Sequence, residues 1–160
     1  MANNLFPEDF ENDSEIVEED LAEESEDRYR NGIAFDYQTG DFKRDGKNKI
    51  LDSDGIESWK SWCYNCLSTE RYKHLAYSTD FGIETEPAFR ASTREEAESH
   101  LTREITEAIM ADPYQRARYV SEIEFTWEAP DSIRADITIQ GIDDVSIDVI
   151  AYITKGGAES

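Results

Sequence analysis

The sequence offers no apolar run long enough to cross a bilayer, no block of basic residues, and only two cysteines and two histidines. Each shortage removes a class of function. A spanning helix needs about 20 consecutive apolar residues, so a membrane-embedded chain is not expected. Binding to a nucleic-acid backbone or to an anionic membrane surface requires clustered Lys and Arg, and neither half of the chain supplies a basic block. The N-terminus lacks the basic and apolar regions of a signal peptide, so synthesis and assembly are expected in a cytoplasm. Cys63 and Cys66 are then expected to be reduced thiols.

What is abundant is negative charge. The 160 residues carry a formal charge of −21, and twelve of the 37 acids lie in residues 1 to 27, which contain no Lys or Arg. From Arg28 onward, 25 acids face 16 bases. One-sign charge and low hydrophobicity cannot offset the entropy of ordering a chain. Residues 1–28 therefore read as an acidic disordered tail, exposed or ordered only by a partner. Its spaced Leu5, Phe6, Phe10, Ile16, Val17 and Leu21 are of the kind that dock into a groove. Residues 29–155 read as one domain, long enough to bury a core without disulfide staples, and 156–160 as a flexible C-terminus.

The domain opens with strand-like Ile33-Ala34-Phe35-Asp36-Tyr37. Turn dipeptides follow at Thr39-Gly40 and Asp45-Gly46, with short strands around Phe42-Lys43 and Lys49-Ile50-Leu51, giving a small β-ribbon. Asp54 or Ser53 caps a helix whose apolar residues Ile56, Trp59, Cys63, Cys66 and Leu67 fall on one face and which ends near Thr69. Glu70 to Arg90 is irregular, with Gly82 and Pro87 as breakers. A second helix of about 20 residues starts at Ser92 or Thr93, either of which finds a Glu three positions on. Its stripe is Ala97, Leu101, Ile105, Ala108 and Ile109, and Asp112-Pro113 stops it.

The clearest pattern lies in the last third. Ile123, Phe125 and Trp127, then Ile133, Ala135, Ile137 and Ile139, then Val145, Ile147, Val149 and Ala151 each alternate with mostly polar residues. Three period-two runs joined by short turns predict an antiparallel meander with one buried face, for which the long helix is the natural cover. The fold class is α+β: an N-terminal β-ribbon, two helices, and a C-terminal three-stranded antiparallel meander.

Candidate chemistry is thin. Cys63-Tyr-Asn-Cys66 is a lone CxxC, whereas structural zinc wants four ligands and a redox pair wants the start of a helix. Both cysteines instead sit in an apolar stripe, which suits buried core thiols. Asp45-Gly46 and Asp52-Ser53-Asp54-Gly55 resemble pieces of a calcium loop, but aligning Gly55 puts Ile50 and Ser61 at ligand positions. A glycosidase pair needs one desolvated carboxyl, and the domain's acids fall mostly on polar phases, with only Glu70, Glu84 and Glu86 of open placement. No nucleophile-elbow spacing supports a Ser/His/Asp site. No catalytic, cofactor-binding or metal residues are expected.

Several segments resemble a known family. Asp36-Tyr-Gln-Thr-Gly-Asp-Phe42, a helix carrying Trp59, Leu67-Ser-Thr-Glu-Arg-Tyr-Lys73 and Tyr77-Ser-Thr-Asp-Phe-Gly82 look like the small baseplate wedge subunit of contractile tails. Such subunits occur in phages, phage-like bacteriocins and related injection machines, and the branch most resembled is that of Gram-positive phages and defective prophages. The order of features is similar from about Gly32 to Ile153. The resemblance implies a structural, non-enzymatic subunit, although members of the family have been labelled lysozyme-like. It implies six copies around the tail axis, beside larger baseplate wedge proteins, the sheath protein and central hub or tube proteins, with no nucleic acid, membrane or cofactor. It also implies location in the bacterial cytoplasm during assembly and then in the baseplate. The wider family often has Glu-Pro-Arg after the long helix, where this chain reads Asp112-Pro113-Tyr114, with Arg116 in a position to replace the missing arginine in an inter-subunit contact. The sheet is implied to resemble the sheath protein's C-terminal domain and to template the first sheath ring by exchanging strands.

The residues themselves add a reason. Ile150 and Tyr152 lie on the otherwise polar phase of the last strand, and the meander ends at Tyr152-Ile153 without a protecting proline. Either a partner covers these side chains or they pack under the N-terminal ribbon. The expected partner-binding residues are Asp112, Pro113, Arg116, Ile150, Tyr152 and Ile153. Two other classes compete: an acidic DNA mimic, which needs carboxylates arrayed over a folded face, and a lysozyme-like hydrolase.

Overall fold

The computed structural model describes residues 28–156, so the acidic tail expected at 1–28 lies outside the described residues except for Arg28. The ribbon is built from β1 (Gly32–Ile33), β2 (Phe35–Asp36), β3 (Asp41–Phe42) and β4 (Asp52–Ser53), with β1 paired to β4 and β2 to β3. Three passes of chain meet where Ala34 N–H donates to the Leu51 carbonyl (2.8 Å), Leu51 N–H to Lys43 (2.9 Å) and Lys43 N–H to Ala34 (2.8 Å). The tip turns at Asp45-Gly46, where an Asp45 carboxylate oxygen accepts from the amides of Lys47 (2.8 Å) and Lys49 (2.9 Å).

Helix α1 (Gly55–Leu67) is capped by Asp54, whose carboxylate accepts from Glu57 N–H at 2.9 Å. It buries Trp59, Cys63, Cys66 and Leu67. Ile56, read as part of that stripe, is instead 41 % exposed. In the first turn the residue that is packed is Gly55, where a Cβ would come within 1.9 Å of the Tyr29 carbonyl.

Pro87 does not break structure as the sequence suggested. It lies in the first turn of a short third helix, α2 (Glu86–Arg90), where its missing N–H has no bond to lose. Helix α3 (Arg94–Met110) has Thr93 as its cap, accepting from Glu96 N–H at 3.1 Å, while Glu96 reaches back to Ser92 N–H at 3.0 Å. Its 17 residues are about 25 Å long, a turn shorter than expected. Leu101, Ile105 and Ile109 are fully buried, each contributing about 1.5–3 kcal/mol over an exposed position.

The meander is β5 (Ala117–Ala129), β6 (Ser132–Gly141) and β7 (Ser146–Thr154), antiparallel in that order. Ile137 stands between Ile123 and Val149, Ala135 between Phe125 and Ala151, and Ile133 between Trp127 and Ile153. One helix was expected to cover the inner face, but two share it: α3 packs against β5 and α1 against β7. A helix is only about 10 Å wide, whereas three strands occupy more than that, so a second cover is required. β5 also begins five residues before the alternation is visible, because irregularities between Ala117 and Tyr119 and between Val120 and Glu122 disturb its period of two.

Candidate partner-binding surface

Register decides which main-chain groups of β7 are available. Lys155 N–H donates to the Asp131 carbonyl (3.0 Å) and Gly141 N–H to the Val145 carbonyl (2.6 Å). Both pairs lie in the same register as Ser132 with Thr154 and Gln140 with Ser146. In an antiparallel ladder, hydrogen-bonded pairs alternate with pairs whose amides and carbonyls point away. Residues 147, 149, 151 and 153 therefore turn their main-chain groups toward β6. Asp148, Ile150 and Tyr152 turn theirs outward, and no other strand of the described residues pairs with β7 on that side.

The same residues carry exposed side chains. Ile150 is 41 % and Tyr152 49 % exposed, so among the described residues the ribbon does not cover them. Their cross-strand neighbours are Asp136 and Arg134, which pair with each other at 2.7 Å. Ile153, expected beside them as a contact residue, points the other way: its side chain is buried against Ile133 and its main-chain groups face β6, so it offers neither to a partner at this edge. The outer face also aligns Glu122, Thr138 and Asp148 in one row and Glu124, Asp136 and Ile150 in the next, so most of its charge is negative.

The turn after α3 is organised differently from the expectation. Asp112 and Arg116 are both buried, and they grip each other: Nε to Oδ2 at 2.7 Å and Nη2 to Oδ1 at 2.9 Å. The carboxylate also accepts from the amides of Tyr114 and Arg116, each at 3.2 Å. The guanidinium lies 5.1 Å from the Tyr114 ring centre and 5.7 Å from that of Trp62. The Tyr29 hydroxyl donates to the Ile142 carbonyl at 2.9 Å beside it. Burial, and next to it Asp143, pushes the Tyr29 phenol up, which keeps it a donor. Exposed at this turn are Pro113, Tyr114 and Gln115.

Two buried acids escaped the sequence reading, which placed most of the domain's carboxylates in solvent and made Asp112 a partner contact. One is Asp112. The other is Glu104 on α3, which accepts from Glu84 N–H at 3.0 Å and pairs with Arg71 at 3.5 Å. Arg71 Nε donates in turn to the Gly82 carbonyl at 3.0 Å. This staple holds the Arg71–Ile83 loop on the helix, and Arg71, with no apolar reason to lie inward, was the available hint. Gly82 sits at φ +98° with a Cβ position 2.7 Å from the Thr69 carbonyl, so only glycine fits. Beyond the staple the loop presents Tyr72, Leu75 and Tyr77 to solvent.

Cys63 and Cys66 are free and buried in the core. Burial pushes both thiols up, Cys66 to about 11, so neither is a thiolate near neutral pH. Gly82 N–H donates to Cys66 Sγ at 3.4 Å, another tie between the loop and α1. Among the described residues no cluster of three or more His, Cys, Asp or Glu could hold a metal, and no helix is long and apolar enough to cross a membrane. Of the three acids of open placement, Glu70 pairs with Lys73, Glu86 pairs with Arg90, and Glu84 is exposed.

A family model described as the contractile injection system sheath initiator matches residues 31–146, from the ribbon to the first residue of β7. No curated protein matches the chain.

Proposed function

The chain belongs to the contractile injection system sheath initiator family, and on that premise we propose that it starts the sheath by strand addition at the free edge of β7. In this reading a sheath subunit lays an extended segment against Asp148, Ile150 and Tyr152, whose amides and carbonyls face outward. Main-chain bonds supply affinity that is largely indifferent to side chain, which suits a protein that begins a polymer of a different subunit. Ile150 and Tyr152 add apolar contact next to the new strand. The observation that carries the proposal is this coincidence: of the three residues with outward main-chain groups, two, Ile150 and Tyr152, also carry exposed apolar side chains on an otherwise polar face.

The rest of the assembly follows the resemblance. Six copies ring the tube after assembly in the bacterial cytoplasm, and Pro113 and Tyr114, held out by the Asp112–Arg116 clasp, meet a larger wedge protein. The role is structural and not catalytic. Among the described residues, the acid rows on the outer sheet face are what favours a DNA mimic. They are interrupted by Arg134, Ile150 and Tyr152 and do not form a continuous carboxylate array.

Proline at Ile150 or Tyr152 removes an outward N–H while leaving the β6–β7 ladder intact. Each variant should fold and fail to retain purified sheath protein on an affinity column, whereas Ile150→Ser should weaken retention only in part. Normal retention by both folded proline variants would refute strand addition at this edge.

A further inference from the structure

We infer that the N-terminal segment, residues 1–27, docks on the basic hairpin at 43–49 of its own chain. The hairpin gathers Lys43, Arg44, Lys47 and Lys49, all exposed, within seven residues of a chain whose formal charge is −21. It is a local exception to the absence of basic blocks, and the fold makes it compact by turning the chain at Asp45-Gly46. The one acid there, Asp45, is engaged by the amides of Lys47 and Lys49. Arg44 Nη1 donates to the Asn48 carbonyl at 3.3 Å. The segment with twelve acids and no bases is the chain's largest block of opposite charge.

Tethering favours this segment over any other acidic peptide. Six residues after Arg28, the Ala34 carbonyl already accepts from Lys43 N–H at 2.8 Å, so the segment joins the fold beside the base of the hairpin. An extended chain of that length reaches about 90 Å, and the hairpin tip lies only about 13 Å past Lys43. A short flexible tether gives an effective concentration of about millimolar, ahead of copies in dilute solution. The ribbon also exposes Ile33, Phe42 and Leu51, which can receive the Leu and Phe residues spaced among the acids.

The test uses the full chain with Ser14→Cys. Cys63 and Cys66 are buried with raised thiol pKa, so a spin label attaches at position 14 under native conditions. With isotope and label on one chain, the amide signals of residues 43 to 49 should lose more than half their intensity at low salt. They should recover in 1 M NaCl, where the screening length is about 3 Å. They should recover equally in the K43E/R44E/K47E/K49E variant, whose sheet amides report that it is folded. Undiminished signals at low salt, a loss that survives charge reversal or high salt, or a loss seen only when label and isotope are on different chains would each overturn the inference.

Discussion

Replacing Arg116 by Met should destabilise the isolated protein by about 3–4 kcal/mol, before any partner is present. The Asp112 side chain is fully buried and that of Arg116 is 6 % exposed, so losing the guanidinium strands a carboxylate away from water. Breaking a buried pair in this way costs about 3–5 kcal/mol. Amides of Tyr114 and residue 116 still donate to the carboxylate, which holds the loss at the low end. The lost stacking on Tyr114 and Trp62 adds about 0.5–1 kcal/mol. Removing both charges together, as in Asp112→Asn with Arg116→Met, strands no ion and should cost about 2 kcal/mol less than the two single losses summed. Urea unfolding monitored by tryptophan fluorescence reads each value from the midpoint at constant slope. A loss below about 1 kcal/mol for Arg116→Met, or simple additivity, would refute the clasp as a folding element and return Arg116 to the role of a partner contact.

Two further outcomes follow from buried groups. Cys63 and Cys66 have folded-state pKa values above the ordinary 9.0, so above about pH 9 the unfolded chain releases protons that the folded chain keeps. The cysteines' contribution should be constant below that pH and be lost as pH rises toward 11, by on the order of 2 kcal/mol for Cys66, and the Cys63→Ala/Cys66→Ala protein should show a shallower alkaline slope in a pH series of urea midpoints, keeping only the part due to the raised Tyr29 and Tyr37 phenols. Gly82→Ala should destabilise by at least about 1–2 kcal/mol, because φ +98° and the Thr69 carbonyl both oppose a Cβ; a thermal midpoint unchanged from the parent would contradict this.

Much of the fold was legible where one physical rule acts alone. Alternation in β6 and β7 survives in the structure because one face is buried along the length of each strand. Asp54 and Thr93 announced their helices because a cap is a local bond. Legibility failed where tertiary partners decide. The first residues of β5 are hidden by irregular register, the packed position in the first turn of α1 is Gly55 and not Ile56, and Pro87 lies in the first turn of a helix and does not break one. Glu104 and Asp112 look like surface acids until Arg71 and Arg116 arrive from positions that no periodicity marks. For the contact surface, polar phase correctly put Ile150 and Tyr152 outside, but the same alternation put Ile153 inside. That β7 points the amides of 148, 150 and 152 outward needs the register with β6, which the sequence does not contain.

The direction of those amides makes strand addition directly measurable. In the free protein, Val149 and Ala151 should exchange their amide hydrogens slowly and Ile150 and Tyr152 quickly, because only the former are bonded to β6. Residue-resolved hydrogen exchange of the full chain with saturating sheath protein is the measurement. Strand addition predicts that Asp148, Ile150 and Tyr152 gain protection of at least about tenfold while their odd-numbered neighbours change little. Binding that leaves the 148, 150 and 152 amides as fast as before would contradict it.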